Sequence, residues 1–265
     1  MFSLNRLSAL LIIVTLGLVS FFAVPWPSRT MLIAGQDVSV SGKLLVAAAV
    51  LGLVACGTQA LASSSECDNP WCMPAASGLW ILPTLLSALA LVALNRSLMA
   101  GAQFLICSAT AATLVMLLLA EQRRVDAHSR LRLASRTVLE VAAFLLMALV
   151  MTTLKTEQVS GPFLAGAAAA GGAALAYVVL SGDLHRPLRI SVCAVVSGLV
   201  VAVVALGLSQ VVKTPVAYGL VLTVALYVSI GLLRGYLRGQ LRKVIVIEYL
   251  IVAGIALLIV LLSVH

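Results

Sequence analysis

The stretch Glu121–Arg136, EQRRVDAHSRLRLASR, decides how this chain is read: it holds five of the seventeen basic residues and separates one run of apolar segments from another. Nearly everything on either side of it is hydrocarbon-like. Short loops rich in Lys and Arg stay on the cytoplasmic side of a membrane. This loop is therefore expected to be cytoplasmic, and it fixes which way the second half of the chain faces.

Outward from the loop, apolar residues make up 62% of the 265, charged residues 10%, and mean hydropathy is +1.16. A soluble domain carries about 45–50% apolar and about 25% charged residues, so water could not cover this surface. Length is better counted here in spans of about 20 residues than in soluble domains. A net charge of +8 would suggest a polyanionic partner in a soluble protein. Here the basic residues lie between apolar segments, where the positive-inside preference accounts for them, and nucleic acid is not an expected partner.

Nine apolar segments can be drawn, at 7–24, 44–62, 79–94, 98–120, 137–154, 163–180, 190–212, 216–233 and 244–264. Each is read as a helix, because a single strand cannot satisfy its backbone in hydrocarbon. The first has one Arg before a long apolar run and no good cleavage site, so it is kept as a span rather than a signal peptide. The expected fold is an all-α integral membrane protein, a polytopic bundle of about nine transmembrane helices. Residues 1–265 form one transmembrane domain, with 121–136 the main cytoplasmic loop dividing it.

With nine spans and the N-terminus inside, the inner segments hold Arg6, the five arginines of 121–136, Arg186, Arg189, Arg234, Arg238, Arg242 and Lys243, twelve in all. The outer segments hold five: Arg29, Lys43, Arg96, Lys155 and Lys213. If the short segment 79–94, with Pro83 near its start, is re-entrant, eight spans remain and both termini lie outside. Charge thus fixes the last five spans and leaves the first three open.

The loop Ser63–Gly78 contains Cys67 and Cys72 around Asn-Pro and Trp71. In an oxidising compartment this pair could close a disulfide, which favours the eight-span alternative. Two cysteines with no second Cys or His pair nearby are a poor zinc signal. Cys56, Cys107 and Cys193 lie inside spans and read as small packing residues. The placement of Gly and Pro in the first four segments does not recur in the last five, against an inverted-repeat transporter.

Little in the chain resembles reactive chemistry. His128, His185 and His265 all lie outside the spans, which excludes buried bis-histidine haem ligation. Ser181-Gly182 and Ser197-Gly198 have no histidine within a span to serve as base. No catalytic residue, cofactor or metal site is expected.

Acidic residues in a bilayer are costly and are functional candidates by default. Glu140 and Glu248 qualify, each about 6–8 Å into a span that enters from the cytoplasmic side. They form a candidate acidic pair for a proton or cation. The plainer expectation is that Glu140 bonds Arg136 at i,i+4 and Glu248 reaches a loop arginine. Arg234, Arg238 and Arg242, four apart, form a candidate ridge for anionic lipid headgroups or an acidic partner, against the plainer reading of a topology-fixing loop.

Segment 161–174, GPFLAGAAAAGGAA, is a packing signal. Small residues recur at i,i+4 on several faces, with Gly166, Gly171 and Gly172 among them, and such faces let backbones approach closely in lipid. This helix is expected at the centre of the bundle, surrounded by others. Tyr218, Thr223, Tyr227 and Ser229 could line a polar groove.

The function expected from these features is non-catalytic: a scaffold or anchor subunit of a membrane complex that binds lipid or partner proteins. The alternative is a transporter or permease for a lipid, apolar or uncharged small molecule. Expected partners are membrane lipids, with anionic headgroups at the cytoplasmic face, and other membrane subunits. The expected location is a bacterial plasma (inner) membrane.

Overall fold

A computed structural model describes residues 4–25, 28–33, 36–63, 78, 80–97, 100–125, 132–181, 187–237, 247–255 and 258. The cysteine pair Cys67/Cys72, together with Arg238 and Arg242, lies outside them. Two compact units are present, Met1–Ser135 and Arg136–His265. The boundary falls at the end of the basic stretch with which the sequence divides itself.

The first unit contains α1 (Leu4–Ala23), the strands β1 (Ser28–Ile33) and β2 (Gln36–Ser41), α2 (Gly42–Ser63), α3 (Ile81–Arg96) and α4 (Ala100–Val125). On α1, Leu10, Val14, Leu18 and Phe21 recur every three or four residues, so they share one face. That face packs with Val50 and Val54 of α2, Ala90, Leu91 and Leu94 of α3, and Cys107, Leu114 and Leu118 of α4. The strands form an antiparallel hairpin in which Ile33 pairs Gln36 and Ser28 pairs Ser41. This hairpin departs from an all-α chain. Its cause is local: Thr30 and Met31 face Ser39 and Val38, and Leu32 and Ile33 face Asp37 and Gln36, in a stretch too polar and too short for a span.

The second unit contains α5 (Arg132–Thr156) from Arg136 onward, α6 (Gly161–Ser181), α7 (Pro187–Leu208), α8 (Pro215–Leu237) and the helical residues 247–255, here α9. Proline opens α7 and α8 and stands second in α6, where its missing N–H has no partner to lose. Just before α6 and α8, the carbonyls of Ser160 and Thr214 accept the first helical bonds, from Leu164 at 3.0 Å and Tyr218 at 3.1 Å. The α5–α6 turn places Gln158 in the left-handed region, at φ 52°.

Each of the nine apolar segments of the sequence thus has described residues in a helix, the last of them over 247–255 and 258. Six helices, among the described residues, are long and apolar enough to cross a membrane: α2 and α4 through α8. The apolar parts of α1 and α3, Ser8–Ala23 and Ile81–Arg96, are shorter. At 1.5 Å per residue, sixteen residues reach only about 24 Å of a ~30 Å hydrocarbon core. The weakness of 79–94 in the sequence is therefore a real shortness of α3. The basic loop is also shorter than drawn. Helix α4 runs on to Val125 and α5 begins at Arg132, because Glu, Gln and Arg are good helix formers and can continue a helix past its apolar stretch.

The outer faces stay apolar. Leu188 is 82% exposed, Phe104 71% and Val203 69%. Exposed apolar surface on this scale calls for a non-aqueous surrounding or a partner.

Within the second unit α6 and α7 are the most closely packed pair. A Cβ added at Gly172 would lie 3.4 Å from the Gly198 Cα and 3.6 Å from the Val201 Cβ. A Cβ added at Gly198 would lie 2.9 Å from both the Cβ and the N of Ala173 and would run into the carbonyl oxygen of Ala169. Only glycine permits that approach. The three glycines singled out on α6 behave differently from one another. Gly172 is buried in the α7 contact, and Gly171 faces Met147 of α5 at ordinary distance. Gly166 and Ala170 are exposed, and a Cβ at 166 would meet open space. Helix α6 is therefore not surrounded on every side. Half of its apolar stretch is buried, more than in any other of the six long helices, and the Gly166 face is open.

Candidate functional site

Helix α5 carries Arg136, Glu140 and Phe144 at successive four-residue steps, which puts them on one face. Helix α8 carries Tyr227, Gly231 and Arg234 at steps of four and three, again on one face. The two faces meet. Glu140 Oε1 accepts a bond from Arg136 Nε at 3.1 Å and another from Arg234 Nη2 at 2.7 Å. All three side chains remain about a quarter exposed. One carboxylate thus joins an arginine of its own helix to one on α8, ninety-four residues away in sequence.

An aromatic layer lies beside the ions. Phe144 and Tyr227 meet edge to face with ring centroids 5.6 Å apart, and Tyr227 lies 5.5 Å from Tyr249 of α9. Gly231 makes this arrangement possible, since a Cβ there would occupy the Tyr249 ring. Glycine lets α9 lean on α8, and the ring then lies over the turn that holds Arg234.

The two candidate acids are thus in different settings. Glu140 is bound by two cations, and Glu248 stands on an exposed position of α9. The i,i+4 bond from Arg136 is present as its spacing implies; the second arginine is what spacing alone missed. Arg234 was legible only as the first member of a basic ridge, yet its guanidinium turns inward to Glu140. The hint was the coincidence of depth: both residues lie just inside the basic ends of their helices.

At the opposite end of these helices Lys155 Nζ donates to the Ser209 carbonyl at 2.5 Å and lies 5.1 Å from the centre of the Tyr218 ring. A cation at the carbonyl end of α7 is favoured by the helix dipole. Buried Tyr218 donates its hydroxyl to the Ala205 carbonyl at 3.1 Å. Thr223 bonds within its own helix, to the Gly219 carbonyl, and Ser229 shares a 3.1 Å bond with Ser197. Tyr218, Thr223, Tyr227 and Ser229 therefore do not form a common polar groove. Tyr218, Thr223 and Ser229 bond to separate partners, and Tyr227 packs its ring against Phe144 and Tyr249.

Helices α7 and α8 instead enclose an apolar cleft of about 450 Å³, with Val196, Val200 and Val204 on one wall and Val221, Val224 and Val228 on the other. Ala253 of α9 also borders it, and Ser229, its polar member, is already bonded to Ser197. Between the same two helices, one turn nearer the start of α7, lies a second cleft of about 630 Å³ that includes Arg189, Val192 and Tyr236. Such volumes fall within the roughly 300–1,000 Å³ of small-molecule sites.

Residues 27–263 match the family model described as protein of unknown function (DUF5656), and the chain belongs to that family. The match runs from just before the hairpin to residue 263 of the second unit. No curated protein and no solved structure matches the chain.

Proposed function

We propose that this protein is integral to a membrane, a bacterial plasma membrane on the pattern of its basic loops, and acts there without catalysing a reaction, as a scaffold or anchor subunit that binds lipid or partner proteins. One observation carries the proposal: the acidic residue best placed for proton or cation work, Glu140, is bound by Arg136 and Arg234 and so closes a link between α5 and α8. A carboxylate that accepts bonds from guanidinium groups on two helices is already engaged as a link between them, the role a scaffold requires of it. The close α6–α7 contact and six long apolar helices suit a rigid intramembrane frame.

The alternative, a transporter of a lipid or an uncharged apolar molecule, draws on the apolar cleft between α7 and α8. The distinguishing experiment has two arms. Purification from membranes in mild detergent should bring stoichiometric partner subunits or bound lipid with the chain. Reconstitution in vesicles should give no transport that Glu140→Gln or Glu248→Gln abolishes. A well-folded Glu248→Gln protein that has lost coupled uptake would overturn the scaffold proposal in favour of the alternative.

A further inference from the structure

The two clefts between α7 and α8 differ in character, and their order along the helices has a consequence. The apolar cleft ends at Val204 and Val221, while the second cleft opens at Arg189 and Tyr236. From Arg189 to Val204 is fifteen residues, about 22 Å of helix, longer than the ~15 Å of one leaflet's hydrocarbon. Val192 and Val196, one turn apart, join the two, as do Leu232 and Tyr236. Among the described residues no acidic side chain borders either cleft. Arg189 is exposed and has no ion pair with a described residue, whereas Arg234 on the neighbouring helix is bound to Glu140.

We infer that the α7–α8 groove is a binding site for one anionic phospholipid, with an acyl chain along Val196, Val200, Val204, Val221 and Val228 and the phosphate at Arg189 and Tyr236. The inference rests on membrane residence and deepens the lipid-binding part of the proposed function. Charge complementarity selects the occupant: an apolar trough with an exposed arginine at one end, without an ion pair among the described residues, matches an amphiphile with a negative head. It also moves the headgroup contact away from the ridge suggested by the sequence, because Arg234 already has a carboxylate. A guanidinium recognises phosphate through paired N–H donors, and a tyrosine hydroxyl beside it can add a third bond.

The test uses the full chain in nanodiscs of phosphatidylcholine doped with a photoactivatable phosphatidylglycerol or, separately, the matching phosphatidylcholine probe, with adducts mapped by peptide mass spectrometry. The phosphatidylglycerol adducts should concentrate on 196–204 and 221–233 and exceed the phosphatidylcholine adducts about fivefold, the worth of one basic residue near an anionic surface. Arg189→Gln should bring the two probes to equality, and Val200→Trp should cut both by filling the trough. Adducts spread evenly over all exposed helix faces, or a preference unchanged by Arg189→Gln, would overturn the site. So would adducts to a co-purified polypeptide on the same residues. A chain released from membranes by carbonate washing would instead refute membrane residence.

Discussion

Replacing Gly198 with alanine adds one methyl group where α7 meets α6, and the backbone decides its cost. The new Cβ would sit 2.9 Å from the Ala173 Cβ and N and against the Ala169 carbonyl oxygen. Carbon atoms pack best at about 3.5–4.0 Å, and no side-chain rotation can move these backbone atoms aside. The helices must part by roughly 0.5–1 Å, and a gap of that size forfeits a quarter to a half of each contact it opens. Taken over on the order of forty atom pairs at ~0.1–0.2 kcal/mol each, the loss is about 1–4 kcal/mol, centred on the usual range for overpacking. Alanine returns up to ~1 kcal/mol through its better helix propensity. The net expectation is a destabilisation of about 1–2 kcal/mol.

Two further variants calibrate this series. Gly172→Ala meets the Gly198 Cα at 3.4 Å and should be near neutral, while Gly166→Ala meets open space and should stabilise by about 0.5–1 kcal/mol. SDS-induced unfolding of the purified protein in mixed micelles, followed by circular dichroism, gives the order directly. A Gly198→Ala protein as stable as the Gly166→Ala protein would refute the α6–α7 contact. Gly171→Leu, the substitution that the sequence pattern alone would choose, is a weaker probe of this contact, because Gly171 points at Met147 of α5 rather than at α7.

Glu140→Gln should fold but lose about 1–2 kcal/mol in the same assay. Two charge-assisted bonds become neutral ones in a site about a quarter exposed, and two guanidinium groups are left facing each other. In a double-mutant cycle, Arg234→Gln should recover part of that loss, and strict additivity would mean that the pair does not interact. Glu248→Gln, at an exposed position, should leave the unfolding curve unmoved. Tyr218→Phe should cost about 0.5–1.5 kcal/mol, since the Ala205 carbonyl loses its donor in a buried place, and a neutral result would show that bond to be absent. A cysteine placed at Ser129 should resist an impermeant thiol reagent in intact cells; rapid labelling would reverse the orientation proposed for the second half.

That the chain is mostly helical, that its apolar surface exceeds what water can cover, and where nearly every helix lies could be read from the residues alone. These properties belong to single segments: a run of about twenty apolar residues needs no partner to be recognised, and Pro162, Pro187 and Pro215 mark helix starts by local chemistry. The i,i+4 bond between Arg136 and Glu140 was equally local. The hairpin at 28–41 was legible in principle from its alternating Ser, Thr and Val residues, but the composition of the whole chain masked it. Tertiary structure decided which of many small residues touch. Gly166, Gly171 and Gly172 look alike in sequence, yet they face open space, α5 and α7 respectively, because rotation of 100° per residue turns neighbours to different sides and only packing fixes which side is filled. The same holds for the charges. Arg234 could serve lipid or carboxylate until α8 was set against α5, where it bonds Glu140, while Arg189 borders the cleft between α7 and α8.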